Sequence, residues 1–214
     1  MPAPAIKICG LTNARALDAA ILARADYAGF VFYSPSPRNL SIADAAALSA
    51  RAEGRITRVG LFVDASDAAI ADAVTAARLD ALQLHGSETP ARAAQLKAHF
   101  GLPVWKALAV TTKSDVERAA AYAGAADLIL FDAKTPKGSS LPGGMGLSFD
   151  WSLVAGWKSP IAWGLAGGLT PSNVDEAIRL TAAPLVDTSS GVESAPGVKD
   201  MDKIAAFCKA ARSS

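Results

Sequence analysis

Cysteine and histidine are scarce in this 214-residue chain, two of each, and aromatics make up only 7%. Two cysteines at opposite ends, Cys9 and Cys208, cannot staple a small fold and point to a reducing compartment, with the cytoplasm as the default. The histidines, His85 and His99, lack a second His or Cys at ligand spacing, so a metal centre is not expected. No basic run exists either: 21 Lys+Arg against 20 Asp+Glu leave a net charge of +1, without the clustered cations that nucleic acid or an anionic membrane requires. The first ten residues do not read as a secretory leader, and nowhere do ~18 uncharged apolar residues run together. The expectation is a protein that is neither secreted nor membrane-spanning. With 51% hydrophobic and 19% charged residues, disorder is excluded too.

What the chain does have is alternation. Short β-branched or aromatic runs at 5–9, 27–32, 57–63, 81–85, 103–108, 128–132, 161–165 and 185–188 alternate with alanine-rich stretches of helical spacing. The latter lie at 13–25, 42–52, 67–77, 90–100, 114–122, 150–155, 171–180 and 200–211. Thr89-Pro90 and Thr170-Pro171 each place a capping hydroxyl before a first-turn proline, predicting firm helix starts there. An open doubly wound sheet would carry a G-x-G-x-x-G turn after its first strand, where this chain has Cys9-Gly10-Leu11-Thr12. No linker divides the chain. The reading is an α/β protein, a single (β/α)8 TIM barrel with short loops spanning 1–214. Only the sixth unit is irregular, with a long Gly/Pro/Ser stretch at 135–146.

A barrel of this kind gathers its chemistry where strands end, so residues there share one mouth whatever their separation in sequence. The strand ends hold Cys9, the loop leading to Arg38, Asp64, His85, Asp132, the pair Gly167-Gly168, and Asp187 followed by Ser189-Ser190-Gly191. Glycines after strands seven and eight let backbone N–H groups approach one anion, which suits a phosphate. Cys9 is either a small buried hydrophobe or a base whose thiolate a helix terminus or Arg38 would favour. Asp132 closes an apolar run, where burial would raise its pKa and fit it as an acid; a cap or a salt bridge with Lys134 or Lys106 is the alternative. Arg38 suits a substrate carboxylate or is an ordinary surface arginine, and Asp187 is a ligand contact or a structural carboxylate. Cys208, on the last helical stretch, reads as packing.

In order and spacing, the chain resembles the phosphoribosylanthranilate isomerase family of tryptophan biosynthesis. The resemblance is carried by Lys7-Ile8-Cys9-Gly10-Leu11-Thr12, Gly29-Phe30-Val31-Phe32, Ser36-Pro37-Arg38, Val59-Gly60-Leu61-Phe62-Val63 and Leu82-Gln83-Leu84-His85-Gly86. It continues in Phe131-Asp132-Ala133-Lys134, Gly143-Gly144-Met145-Gly146, Phe149-Asp150-Trp151, Leu165-Ala166-Gly167-Gly168-Leu169 and Val186-Asp187-Thr188-Ser189-Ser190-Gly191-Val192-Glu193. It implies a cofactor-free Amadori rearrangement of a phosphosugar, with Asp132 as general acid and Cys9 as general base. By the same resemblance Arg38 would bind the anthranilate carboxylate, His85 and Asp187 would contact substrate, and Gly167, Gly168, Ser189, Ser190 and Gly191 would hold the phosphate. A metal-dependent pentose-phosphate epimerase would need several mouth histidines, and a silent ligand-binding barrel would not need the strand-end thiol and acid.

Overall fold

The computed structural model describes residues 3–134 and 146–213. Gly143, Gly144 and Met145 of the motif quoted above, and most of the 135–146 stretch, lie outside the described residues. Eight strands, β1 (Ala5–Cys9), β2 (Tyr27–Phe32), β3 (Thr57–Phe62), β4 (Ala81–Leu84), β5 (Val104–Val110), β6 (Leu128–Ala133), β7 (Ala162–Leu165) and β8 (Leu185–Thr188), close into a barrel in chain order. Neighbours are parallel, and β8 returns to β1 with Lys7 opposite Asp187.

The helices are α1 (Ala14–Leu22), α2 (Ile42–Ala52), α3 (Asp67–Ala77), α4 (Pro90–Phe100), α5 (Lys113–Glu117), α6 (Val174–Thr181) and α7 (Met201–Arg212). The hydroxyls of Ser41, Ser66 and Thr89 each accept a first-turn N–H at α2, α3 and α4. A cap of this kind contributes about 1 kcal/mol. At Thr89 the structure matches the sequence reading, Pro90 included. At Thr170 it does not, because α6 starts at Val174. The Thr170 hydroxyl pairs with that of Ser172 at 2.9 Å, and Asn173 accepts from the Thr170 N–H at 2.7 Å while donating to the Gly168 carbonyl at 3.0 Å. Residues 170–173 therefore finish the loop after β7 and hold Gly168, rather than opening a helix.

Two other units depart from expectation. The predicted helix at 150–155 is a 3-10 turn, Trp151–Leu153, and the predicted 114–122 helix is α5 continued by a 3-10 segment, Arg118–Tyr122. Between β8 and α7, an unforeseen antiparallel hairpin joins β9 (Glu193–Ala195) and β10 (Val198–Lys199).

Strand period divides the core. Side chains of one parity, Ile6, Ile8, Phe30, Phe62, Leu82, Leu84, Ile129, Phe131 and Val186, pack outward against the helices. Those of the other parity fill the barrel: Val59, Ala81, Trp105, Ala107, Leu130 and Leu185 plug its lower part, with Ala5, Tyr27 and Leu128 against them. Above the plug the apolar side chains thin to Cys9, Val31 and Leu61. Polar residues of the same parity, Lys7, Gln83, Asp132 and Asp187, are buried in the strands that rise from the plug.

Candidate active site

One pocket opens at the strand C-termini, and Cys9, Arg38, His85, Asp132, Gly167, Gly168, Asp187, Ser189, Ser190 and Gly191 all line it. All but one of the candidate residues named at the strand ends are thus brought to a single mouth. Asp64 is not: its carboxylate accepts from the Ser87 N–H and hydroxyl, both at 2.9 Å, and ties the loop after β3 to that after β4.

The sulfur of Cys9 sits at the top of β1 and is almost wholly buried. Burial pushes its thiol above the ordinary value, the Lys7 ammonium opposes this, and Asp187 adds to it. The cations that favour the thiolate are therefore Lys7 and, more weakly, Lys199. Arg38, which the sequence also offered for this part, is held by Glu193. Lys7 is fully buried, two residues before Cys9 on the same strand face, with Nζ 2.9 Å from Asp187 Oδ2. Burial works to lower the Lys7 ammonium, but Asp187 and Cys9 together carry it above the usual lysine range. Asp187 is raised by burial against the pull of Lys7, and its Oδ1 is buried with no hydrogen-bond partner among the described residues.

Asp132 stands on β6, three strands round the ring from β1. Its Oδ1 accepts from the Ala133 N–H at 2.7 Å, and its Oδ2 lies 3.2 Å from His85 Nε2. Beside it, the Gln83 amide nitrogen is 3.1 Å from His85 Nδ1. Lys106, the alternative salt-bridge partner considered for Asp132, instead pairs with Glu88 at 3.0 Å and donates to the Gly86 carbonyl.

Arg38 is no surface arginine, being 5% exposed. Its Nε and Nη2 form a bidentate pair with Glu193, both bonds at 2.8 Å. Glu193 also takes Lys199 at 2.7 Å, and Lys199 donates to the Ser189 carbonyl at 2.9 Å. Burial acts to raise the Glu193 carboxyl, yet Arg38 and Lys199 hold it below the ordinary glutamate value. One carboxylate on the hairpin thereby fixes both the arginine and the loop after β8.

The glycines have no room to be anything else. Gly167 has φ +81° with Asp132 Oδ1 2.8 Å from where a Cβ would sit, and a Cβ on Gly191 would meet the Leu169 carbonyl oxygen at 1.9 Å. Both loops can therefore bring backbone N–H groups close to an anion.

Four residues of this site escaped the sequence reading: Lys7, Gln83, Glu193 and Lys199. For the first two the signal was present, since each is a polar residue inside an apolar strand, two positions before a strand-end candidate and so on the same face. For the hairpin pair no comparable signal existed.

A model of the N-(5'phosphoribosyl)anthranilate (PRA) isomerase family matches residues 6–210. The N-(5'-phosphoribosyl)anthranilate isomerase of Paramagnetospirillum magneticum is 55% identical over 207 residues, covering 97% of this chain and 96% of that protein. The crystal structure of phosphoribosyl anthranilate isomerase from Thermotoga maritima superposes with TM-score 0.88 at 37% identity, covering 99% and 100% of the two chains. A further structure of a phosphoribosyl anthranilate isomerase, TM-score 0.86 at 35% identity and with coverage of 99% and 100%, holds reduced 1-(o-carboxyphenylamino)-1-deoxyribulose 5-phosphate. With the family matched along nearly its whole length and the barrel shared, this chain belongs to the N-(5'-phosphoribosyl)anthranilate isomerase family.

Proposed function

We propose that this chain, acting as one catalytic domain over 1–214, converts N-(5-phosphoribosyl)anthranilate to 1-(2-carboxyphenylamino)-1-deoxyribulose 5-phosphate in tryptophan biosynthesis. The observation that carries the reading is the single pocket in which the Cys9 sulfur and the Asp132 carboxyl share a mouth with two glycine loops. Family membership supports the same substrate.

The reaction needs an acid and a base on different sides of one sugar. Asp132, as the acid, gives its proton to the ribose ring oxygen; the C1–O bond breaks as the anilino nitrogen pushes in to form an iminium. Cys9, as thiolate, removes the proton from C2. The C–H electrons become the C1–C2 double bond, and the iminium π pair returns to nitrogen, giving an enolamine that tautomerises to the ketone. C2 is oxidised as C1 is reduced, an intramolecular oxidoreduction, so the chemistry calls for no cofactor.

Position supports the remaining roles. Arg38, braced by Glu193, takes the anthranilate carboxylate, and His85 keeps the Asp132 carboxyl aimed at the substrate. Asp187 Oδ1, which has no partner among the described residues, accepts from a sugar hydroxyl. Gly167, Gly168, Ser189, Ser190 and Gly191 hold the phosphate, remote from the bond changes, so that its binding energy serves orientation. The setting proposed is the cytoplasm: both cysteines are free, and no described helix is long and apolar enough to cross a membrane.

The test is a turnover assay in which phosphoribosylanthranilate is generated in situ and its fluorescence followed. Enzyme-dependent loss of fluorescence, with the ketose phosphate as product, is expected. No rate above background would overturn the assignment.

A further inference from the structure

We propose that Lys7 is a positioning residue of this reaction: its buried ammonium, shared between the Asp187 carboxylate and the Cys9 sulfur, is the counter-ion that lets the sulfur exist as a base. The inference rests on Cys9 being that base.

Stability alone gives no reason for a lysine here. Lys7 is wholly buried where the barrel interior passes from apolar plug to open mouth. A buried ion pair is typically no better for stability than apolar residues of the same volume, because desolvation offsets the attraction. Nor is the pair built to satisfy itself. Asp187 spends one oxygen on Lys7 at 2.9 Å and leaves the other without a partner among the described residues. An ammonium has three N–H groups, and β1 directs Lys7 and Cys9 to the same face, so the cation can serve carboxylate and sulfur together.

Two other cations of the site are held by a carboxylate of their own. On β10, Lys199 bonds Glu193 and Ser189, and after β2, Arg38 holds Glu193 through two bonds. Across the mouth, Asp132 works to raise the Asp187 carboxyl and His85 to lower it. Burial raises the thiol, with Lys7 the strongest opposing influence and Asp187 the carboxylate that works against it. During turnover the thiolate takes the C2 proton, becomes thiol, and releases that proton to water through the pocket when product leaves.

The division of one ammonium between two anions predicts an order. Titrating Cys9 by its rate of alkylation with iodoacetamide, in a Cys208→Ser background so that a single thiol reports, compares the parent, Asp187→Asn and Lys7→Met/Asp187→Asn. Asp187→Asn leaves the whole ammonium to the sulfur, so its thiol ionises at lower pH than the parent's. The double variant removes both charges, so its thiol ionises at higher pH and alkylates about tenfold more slowly near neutrality, as one pKa unit implies. A double-variant titration at or below the parent's overturns the role of Lys7. If Lys7→Met/Asp187→Asn does not fold, Lys7→Gln/Asp187→Asn carries the same expectation. Because alkylation needs no substrate, its outcome is separate from the catalytic reading, which falls if Cys9→Ser turns over like the parent.

Discussion

The lower and upper parts of the barrel interior are lined by strand residues of the same parity, yet they are opposite in character. Below, Val59, Ala81, Trp105, Ala107, Leu130 and Leu185 form an apolar plug. Above, Lys7, Cys9, Gln83, Asp132 and Asp187 put charges, a thiol and an amide into nearly as deep a burial. Two residues along a strand move a side chain by about 7 Å, which is all that separates the apolar layer from the ionisable one here. The plug supplies stability and gives a rigid floor; the layer above accepts unfavourable burial because ionisable groups held out of water respond strongly to one another.

Substitutions test that division. The largest effects belong at the mouth: Asp132→Asn and Cys9→Ser should each lower kcat by about 10²–10⁴-fold, with circular dichroism and thermal melting unchanged. Parent-like turnover in either variant removes that residue from the mechanism. Leu130→Ala, in the plug, should do the reverse, costing about 2–5 kcal/mol in denaturant unfolding while kcat and KM of the folded enzyme stay the same. A plug variant that loses activity without losing stability would break the contrast.

Smaller effects sharpen it. Glu193→Gln weakens the brace on Arg38 and should raise KM about tenfold with kcat nearly intact, the loss of one charge-assisted bond. Because Arg38 and Lys199 hold Glu193 below its unfolded value, this cluster stabilises the fold above the ordinary glutamate range. That contribution disappears as pH falls through the depressed folded value. Melting temperatures of parent and Glu193→Gln should therefore converge in acid; a constant difference across pH contradicts the linkage. The smallest change is at the rim of the fold, where Thr89→Ala should cost about 1 kcal/mol and Thr170→Ala less, since only the first hydroxyl caps a helix.

Much of this was legible in the sequence because a parallel barrel writes its order directly into the chain. Eight apolar runs separated by amphipathic stretches leave little freedom in topology, and strand ends converge on one mouth by construction. Thr170 shows the limit. Its Thr-Pro signal equals that of Thr89, yet Asn173 bridges Thr170 to Gly168, a choice made by the loop after β7 rather than by the local sequence. The hairpin shows it more sharply. Glu193 and Lys199 are six residues apart in a turn-rich segment, and only the fold brings them against Arg38, 155 residues away. Charge partners fixed by tertiary contact leave no periodic trace. Lys7 and Gln83 did leave one, in a strand parity shared with Cys9 and His85.

Acid and base must reach one sugar from β6 and β1 respectively. The measurement that tests this most directly is a crystal structure of this chain with the reduced form of the product bound. The sulfur of Cys9 should lie beside sugar C2, the Asp132 carboxyl beside the former ring oxygen, and the phosphate over the loops of Gly168 and Gly191. A sugar whose C2 faces away from β1, with Cys9 contacting only apolar carbon, would contradict it.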